Sequence, residues 1–220
     1  MRIQADISPV YQTTILDAKI SAITQLFATK VFAAITITQA FSTHLIKAKG
    51  TICNIGSMST YFHTPITGLY AGSNSALEYI SHQMRIELEP FGVSVVHVIG
   101  GAVKSNLTNN RLLPSWSEDS RYYPVRHMID KATNPLWDVM PASQFAQTLA
   151  SKLTCERKPA MVYLGSKLWF GYLLNFLAWC AGWFVGVRFW DLVCRGPTGM
   201  VALKRIMEQE EREQEGKKQK

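Results

Sequence analysis

Residues 57–74 read Ser57-Met58-Ser59-Thr60-Tyr61-Phe62-His63-Thr64-Pro65-Ile66-Thr67-Gly68-Leu69-Tyr70-Ala71-Gly72-Ser73-Asn74. A serine opens the stretch, a tyrosine follows at position 70, and a neutral amide stands one helical turn beyond it. From Gly68 the pattern turns helical. Tyr70, Ala71, Asn74, Leu77, Glu78 and Ser81 fall along one side at the 3.6-residue period, and Phe91-Gly92 breaks the run after Pro90. Upstream, Thr51 to Ile55 is a short apolar run that fits a strand, ended by Gly56 and Ser57.

Working outward, Ile15 to Lys47 reads as one helix. Ile20, Ile23, Leu26, Phe27, Val31, Ala34, Ile35, Thr38 and Phe41 recur at steps of three and four, and Lys47-Ala48-Lys49-Gly50 is a fitting stop. Val93 to Ile99 is β-branched and apolar throughout, the pattern of a strand buried on both faces, and Gly100-Gly101 ends it. Helix, strand, helix, strand implies an α/β architecture with a parallel sheet. Asn106 to Pro141 is polar and contains prolines; it reads as a long irregular loop of the kind that covers pockets. Pro141 to Leu153 starts another helix, and Met161 to Leu164 reads as a last strand.

Beyond residue 165 the composition changes. Leu168 to Val187 runs without a charge between Lys167 and Arg188 and holds Trp169, Trp179 and Trp183. About twenty apolar residues suffice to span a bilayer as a helix, and tryptophans with basic flanks suit its interfaces. A buried C-terminal helix is the other reading. Lys204 to Lys220 is densely charged and of mixed sign, a solvated helix or frayed tail. The chain thus divides into 1–165, an apolar segment 166–195 and a charged tail 196–220.

Composition narrows the function. The 220 residues suffice for a substantial core, and 47% hydrophobic content argues against disorder. The net charge of +7 suits anionic lipid surfaces or phosphate-bearing ligands, but no basic patch with interleaved aromatics points to nucleic acid. Cysteines 53, 155, 180 and 194 match no zinc or redox spacing, and the five histidines are scattered, so no metal site is expected. They read as reduced cysteines facing a cytosol. No secretory signal opens the chain, and the sequon Asn106-Leu107-Thr108 reads as chance.

Four groups of residues, in order, carry a family resemblance. They are Val31-Phe32 with Thr38-Gln39-Ala40-Phe41, Asn54-Ile55-Gly56-Ser57, Tyr70-Ala71-Gly72-Ser73, and Gly101-Ala102-Val103-Lys104-Ser105. Arg85-Ile86-Glu87-Leu88 and Pro90-Phe91-Gly92-Val93 extend it. Over about residues 10 to 165 the chain resembles the catalytic half of a short-chain dehydrogenase/reductase. The nearest branch is similar to fungal NADPH-dependent 1-acyldihydroxyacetone phosphate reductases. The resemblance implies the C-terminal part of a Rossmann-like doubly wound parallel sheet, with an apolar C-terminal helical extension. The front of such a fold, a strand, a glycine-rich turn and a helix that holds the pyrophosphate, has no counterpart here, since no glycine precedes Gly50. The first βαβ units, roughly 80 to 90 residues of an ordinary domain, are therefore expected to be lacking. Three or four strands would remain, and the strand that should sit at the centre of the sheet would have lost its neighbours.

The resemblance also implies roles. Hydride passes between a nicotinamide and a carbonyl carbon while a tyrosine supplies the proton. Free tyrosine, with a pKa near ~10, is poorly matched to neutral pH, and a lysine one helical turn on stabilises its ionised form. A serine hydrogen-bonds the carbonyl oxygen, and an asparagine on the preceding helix holds a water. Ser57 matches the serine and Tyr70 the tyrosine. Asn74 stands in the lysine position and Lys30 in the asparagine position. Val103 and Ser105 match the loop that contacts the nicotinamide carboxamide and adjacent phosphates, with Gly100 where that loop usually opens on proline; Tyr70 and Asn74 share in cofactor binding. Either Lys30 and Asn74 have exchanged places, or the site has drifted. His63, Arg111, Arg121 and Arg126 are candidates for substrate or phosphate contact, with solvated surface charge as the competing reading.

Two functions follow from the resemblance. One is an NADPH-dependent reductase of a ketone on a lipid-like or secondary-metabolite substrate, held at the cytosolic face of endoplasmic reticulum or a lipid droplet by residues 168–187. It would be cytoplasmic if that segment is buried. The other is an inactive remnant or pseudoenzyme that acts by oligomerisation or by binding lipid. The helix at Tyr70 and the one before it commonly form a dimer interface in the family, so a homo- or hetero-oligomer is expected on either reading.

Overall fold

The computed structural model describes residues 2–3, 12–61, 63–104, 116–133, 139–166, 168, 173, 176 and 195–218. Strand β1 (Arg2–Ile3) is followed by helix α1 (Ile20–Phe27), a wide π-helical turn (Ala28–Phe32) and helix α2 (Ala33–Lys47). Strand β2 (Thr51–Ser57), helix α3 (Gly68–Leu88) and strand β3 (Ser94–Gly100) come next. Helix α4 (Arg126–Thr133), helix α5 (Ala142–Thr154), strand β4 (Met161–Leu164) and helix α6 (Met200–Lys218) complete the described elements.

The four strands form one parallel sheet in the order β1-β2-β3-β4. Thr51 lies opposite Ser94 and Asn54 opposite His97, so odd and even positions separate onto two faces. Cys53, Ile55, Val96, Val98, Val162 and Leu164 face α5 and pack on Leu149 and Leu153. Ile52, Val93 and Val95 face the other way and pack on Leu45 of α2 and Met84 of α3. Val96, Val98 and Ile99 are fully buried, as expected for a strand covered on both sides.

Several expectations need correcting. The first helix starts at Ile20, not Ile15: Lys19 is extended (φ −84°, ψ 126°), and Thr14 Oγ1 donates to Asp17 Oδ2 at 2.6 Å in the preceding turn. β2 keeps a neighbour on each side, since Arg2 and Ile3 pair with Thr51 and Ile52. The region 106–141 is not wholly irregular. It contains a 3₁₀ turn at Tyr123–Val125 and α4, whose Val125 and Ile129 are buried against Ile66 together with Met200, Leu203 and Ile206 of α6. On α3 the buried positions are Tyr70, Ser73, Asn74, Leu77, Ser81 and Met84, while Ala71 and Glu78 stay half-exposed. The face predicted from spacing is therefore turned slightly.

The apolar segment 168–187 lies outside the described residues apart from 168, 173 and 176. Among the described residues one helical stretch, Ile20–Lys47, is long and apolar enough to cross a membrane by length and composition. It also carries a fully buried lysine that reaches α3, described next.

Candidate active site

Ser57 ends β2 and Tyr70 sits in the first turn of α3. Both therefore lie at the carboxyl end of a parallel sheet, where open α/β folds bind ligands. The linker between them is braced. Ser59 N donates to Ser57 Oγ at 3.2 Å, and Thr60 Oγ1 donates to the Ser57 carbonyl at 3.1 Å. Tyr61 donates to Glu78 Oε1 at 3.1 Å; its burial, and then the neighbouring Glu78 charge, push its hydroxyl well above the ordinary tyrosine range. Ile66 is buried and adopts a left-handed conformation, φ 63°. A β-branched residue there stores strain on the order of 1–3 kcal/mol. Its carbonyl accepts from Thr13 N at 3.1 Å and its side chain is gripped by α4. The entry to the helix bearing Tyr70 is thus set by tertiary contacts.

Below Tyr70 the structure brings Lys30 and Asn74 together. Lys30 is 1% exposed and Asn74 0%. Lys30 Nζ donates to Asn74 Oδ1 at 2.8 Å and stands 4.8 Å from the centre of the Tyr70 ring. A lysine ammonium has donors and no acceptor, so the amide of Asn74 must turn its oxygen to Lys30. Its nitrogen then donates to the Tyr70 carbonyl at 2.8 Å. The π turn at Ala28–Phe32 holds Lys30 and buries it beside Val31. Such wide turns insert one residue into a helix and recur at functional sites.

A second buried polar cluster lies deeper under α3 and was not foreseen. Ser81 Oγ donates to the Leu77 carbonyl at 2.6 Å and accepts from Asn54 Nδ2 at 2.9 Å. With its proton committed, Ser81 accepts from His97 Nδ1 at 3.1 Å, which places the imidazole proton on Nδ1. His97 Nε2 is buried with no partner among the described residues. A proton added there finds no acceptor. Burial first, then the charges of His82 and Lys30, lower the His97 pKa from 6.5 to about 4, so the ring is neutral at physiological pH. Gly56 makes room for it: a Cβ there would lie 2.7 Å from Nε2.

The chain after β3 is held rather than loose. Lys104 N donates to the Met140 carbonyl at 2.8 Å, Val103 bridges to Met140, and Ala102 bridges to Ser166. Gly101 and Gly165 touch backbone to backbone; a Cβ on Gly101 would meet the Ser166 carbonyl oxygen at 2.5 Å. Val103 therefore stands at a fixed place beyond the β3 end, whereas Ser105 and Arg111 lie outside the described residues. His63 and Arg121 are exposed. Arg126 stacks 3.8 Å over the Tyr123 ring and donates to the Tyr123 carbonyl at 2.7 Å, a local structural use. Among the described residues no group of three His, Cys, Asp or Glu is placed to hold a metal ion.

A tyrosine hydroxyl and a strand-end serine can both donate to a carbonyl oxygen. Comparison with known proteins gives the family. A family model described as short chain dehydrogenase matches residues 10–114. A short-chain dehydrogenase/reductase of Pestalotiopsis microspora is 35% identical over 162 residues, 71% of this chain and 55% of its own length. An NADPH-dependent 1-acyldihydroxyacetone phosphate reductase of Saccharomyces cerevisiae is 31% identical over 156 residues, 69% of this chain and 51% of its own. The chain spans about half the length of the curated relatives it matches. Among solved structures, a short-chain dehydrogenase from Streptomyces avermitilis superposes with TM-score 0.65 at 21% identity, covering 89% of this chain and 70% of that one. An alcohol dehydrogenase from Thermococcus sibiricus complexed with 5-hydroxy-NADP superposes at 0.58 and 13% identity, covering 76% and 63%. These two are likenesses of fold.

Proposed function

We propose that this chain, which belongs to the short-chain dehydrogenase/reductase family, serves NADPH-dependent reduction of a ketone on a lipid-like or secondary-metabolite substrate. The observation that carries the reading is the buried cluster of Tyr70, Asn74 and Lys30 at the carboxyl end of the sheet. A buried ammonium and amide are costly to maintain, and a purely structural helix contact does not need them.

In this reading a bound nicotinamide supplies the hydride. Tyr70 donates its hydroxyl proton to the carbonyl oxygen as the carbon is reduced, and leaves as phenolate. Ser57, half-buried at the end of β2, donates a hydrogen bond to the same oxygen and holds the developing charge. Asn74 and Lys30 hold Tyr70 in place from beneath; by the family resemblance Val103 and Ser105 would contact the nicotinamide carboxamide and adjacent phosphates. NADPH rather than NADH follows the name of the Saccharomyces cerevisiae relative. We assign the chain to a membrane or lipid-droplet surface on the uncharged, tryptophan-bearing composition of residues 168–187, and flotation with phospholipid vesicles tests that part.

The test is turnover of 1-acyldihydroxyacetone phosphate and of a panel of hydrophobic ketones, followed by NADPH absorbance. It is run on the chain alone and on the chain with any in-frame upstream coding sequence. The expected result is consumption of NADPH that Tyr70→Phe abolishes and that Ser57→Ala reduces by about 10²-fold or more. No consumption in either form, with no shift of melting temperature on adding NADPH, would overturn the reading in favour of a non-catalytic role.

A further inference from the structure

We propose that Lys30 supplies from the other helix the positive charge that stabilises ionised Tyr70, and that Asn74 is the tether that aims it. This rests on the reading above and deepens it. Three observations converge. Lys30 is 1% exposed, in a helix whose outer face offers ample solvent to a side chain able to snorkel. Its ammonium stands 4.8 Å from the Tyr70 ring, a range in which a cation is attracted to the neutral ring and far more strongly to a phenolate. The π turn at Ala28–Phe32 puts the side chain inward at a position where a continuous α-helix would place it differently.

Asn74 cannot carry charge, but it accepts from Lys30 and donates to the Tyr70 carbonyl, so it fixes the ammonium relative to the tyrosine. Among the described residues another titratable ring near Lys30 is His97, with His82 behind it at 6.5 Å between ring centres. His97 is held neutral and does not compete for the phenolate. Lysine and amide have thus exchanged helices while the charge remains beside the tyrosine.

The experiment compares the parent, Lys30→Met, and the double exchange Lys30→Asn with Asn74→Lys, each measured against its own Tyr70→Phe partner. The first readout is the Tyr70 share of phenolate absorbance at about pH 9, a unit below the ordinary tyrosine range. The parent is expected to show at least about fivefold more Tyr70 phenolate than Lys30→Met, and the double exchange to recover it. The second readout is turnover, where kcat should fall about tenfold or more in Lys30→Met with KM little changed, and return in the double exchange. Circular dichroism verifies folding; if Lys30→Met does not fold, the double exchange and Lys30→Arg decide, both keeping the charge. Phenolate and kcat unchanged in a folded Lys30→Met would overturn the proposal, as would a folded double exchange that restores neither. If the phenolate readout behaves as expected while no variant reduces a ketone, the assigned reaction fails and the placement of charge stands.

Discussion

Acidifying the protein from pH 7.5 to pH 5 should cost it stability through His97 alone. The His97 pKa is lowered in the fold from 6.5 to about 4, by burial first and then by His82 and Lys30. The unfolded chain therefore binds a proton below pH 6.5 that the folded chain refuses until about pH 4. Stability is full above pH 6.5, falls as pH drops through that value, and levels off only near pH 4. The whole displacement is worth about 3 kcal/mol at ~1.4 kcal/mol per unit, and the part falling between pH 7.5 and 5 about 2 kcal/mol. That window keeps most carboxylates ionised, so they contribute little. The assay is urea unfolding of the parent and of His97→Val at both pH values. Valine suits the buried β3 position and has nothing to titrate. The parent should lose about 2 kcal/mol more than the variant over this interval. Equal losses would refute the reasoning: either Nε2 finds an acceptor when protonated, or the ring leaves the layer under α3.

Other perturbations test the same layer and its surroundings. Gly56→Ala drives a methyl to 2.7 Å from His97 Nε2; it should cost about 1–3 kcal/mol in chemical denaturation, and His97→Ala added to it should recover part of the loss. Asn74→Leu removes the acceptor 2.8 Å from the Lys30 ammonium. It should lower stability by about 1–3 kcal/mol, more than Lys30→Met combined with Asn74→Leu, because the double variant leaves no buried charge short of that acceptor. Leu203→Asp should detach α6 from the Ile66, Val125 and Ile129 cluster, read as faster proteolysis within 116–133 with little change in the protection of β3 amides.

What the sequence disclosed depends on how local the cause was. The β3 strand was legible because Val93 to Ile99 is an unbroken β-branched run, and α3 because its apolar and small residues keep one period up to Pro90 and Gly92. The sheet's extra strand was not: Arg2–Ile3 is two residues long and is defined only by its pairing with Thr51 and Ile52. Helix α4 was hidden because its eight residues are mostly polar, and its buried side rests on Ile129, pressed with Val125 of the preceding turn against Ile66 and α6. The site divides the same way. Ser57 and Tyr70 were legible as a spacing, and Lys30 and Asn74 as a pair. Their contact at 2.8 Å depends on a π turn, which shifts the helix register by one residue and leaves no trace in hydrophobic periodicity. The histidine layer was missed because a lone strand histidine reads as incidental. The available signal was Gly56 opposite it, in a strand otherwise filled with larger side chains, since a glycine inside a strand often marks a close approach.

The two buried bases are best understood together. Lys30 and His97 lie in one layer between the sheet and α3, and the charge of Lys30 is one of the causes that keep His97 neutral. Like charges in a low-dielectric layer disfavour one another, and after burial and His82 this adds to what keeps His97 neutral. Ser81, with its proton given to Leu77, can only accept from His97 and so fixes the neutral tautomer. Asn74, with its amide given to Tyr70, accepts from Lys30 through its oxygen. The two side chains on α3, one turn and three turns beyond Tyr70, thereby hold groups that come from two other elements. Tyr70 stands at one end of this layer and His97 at the other, and the charge-exchange and acid-unfolding experiments probe the two ends independently.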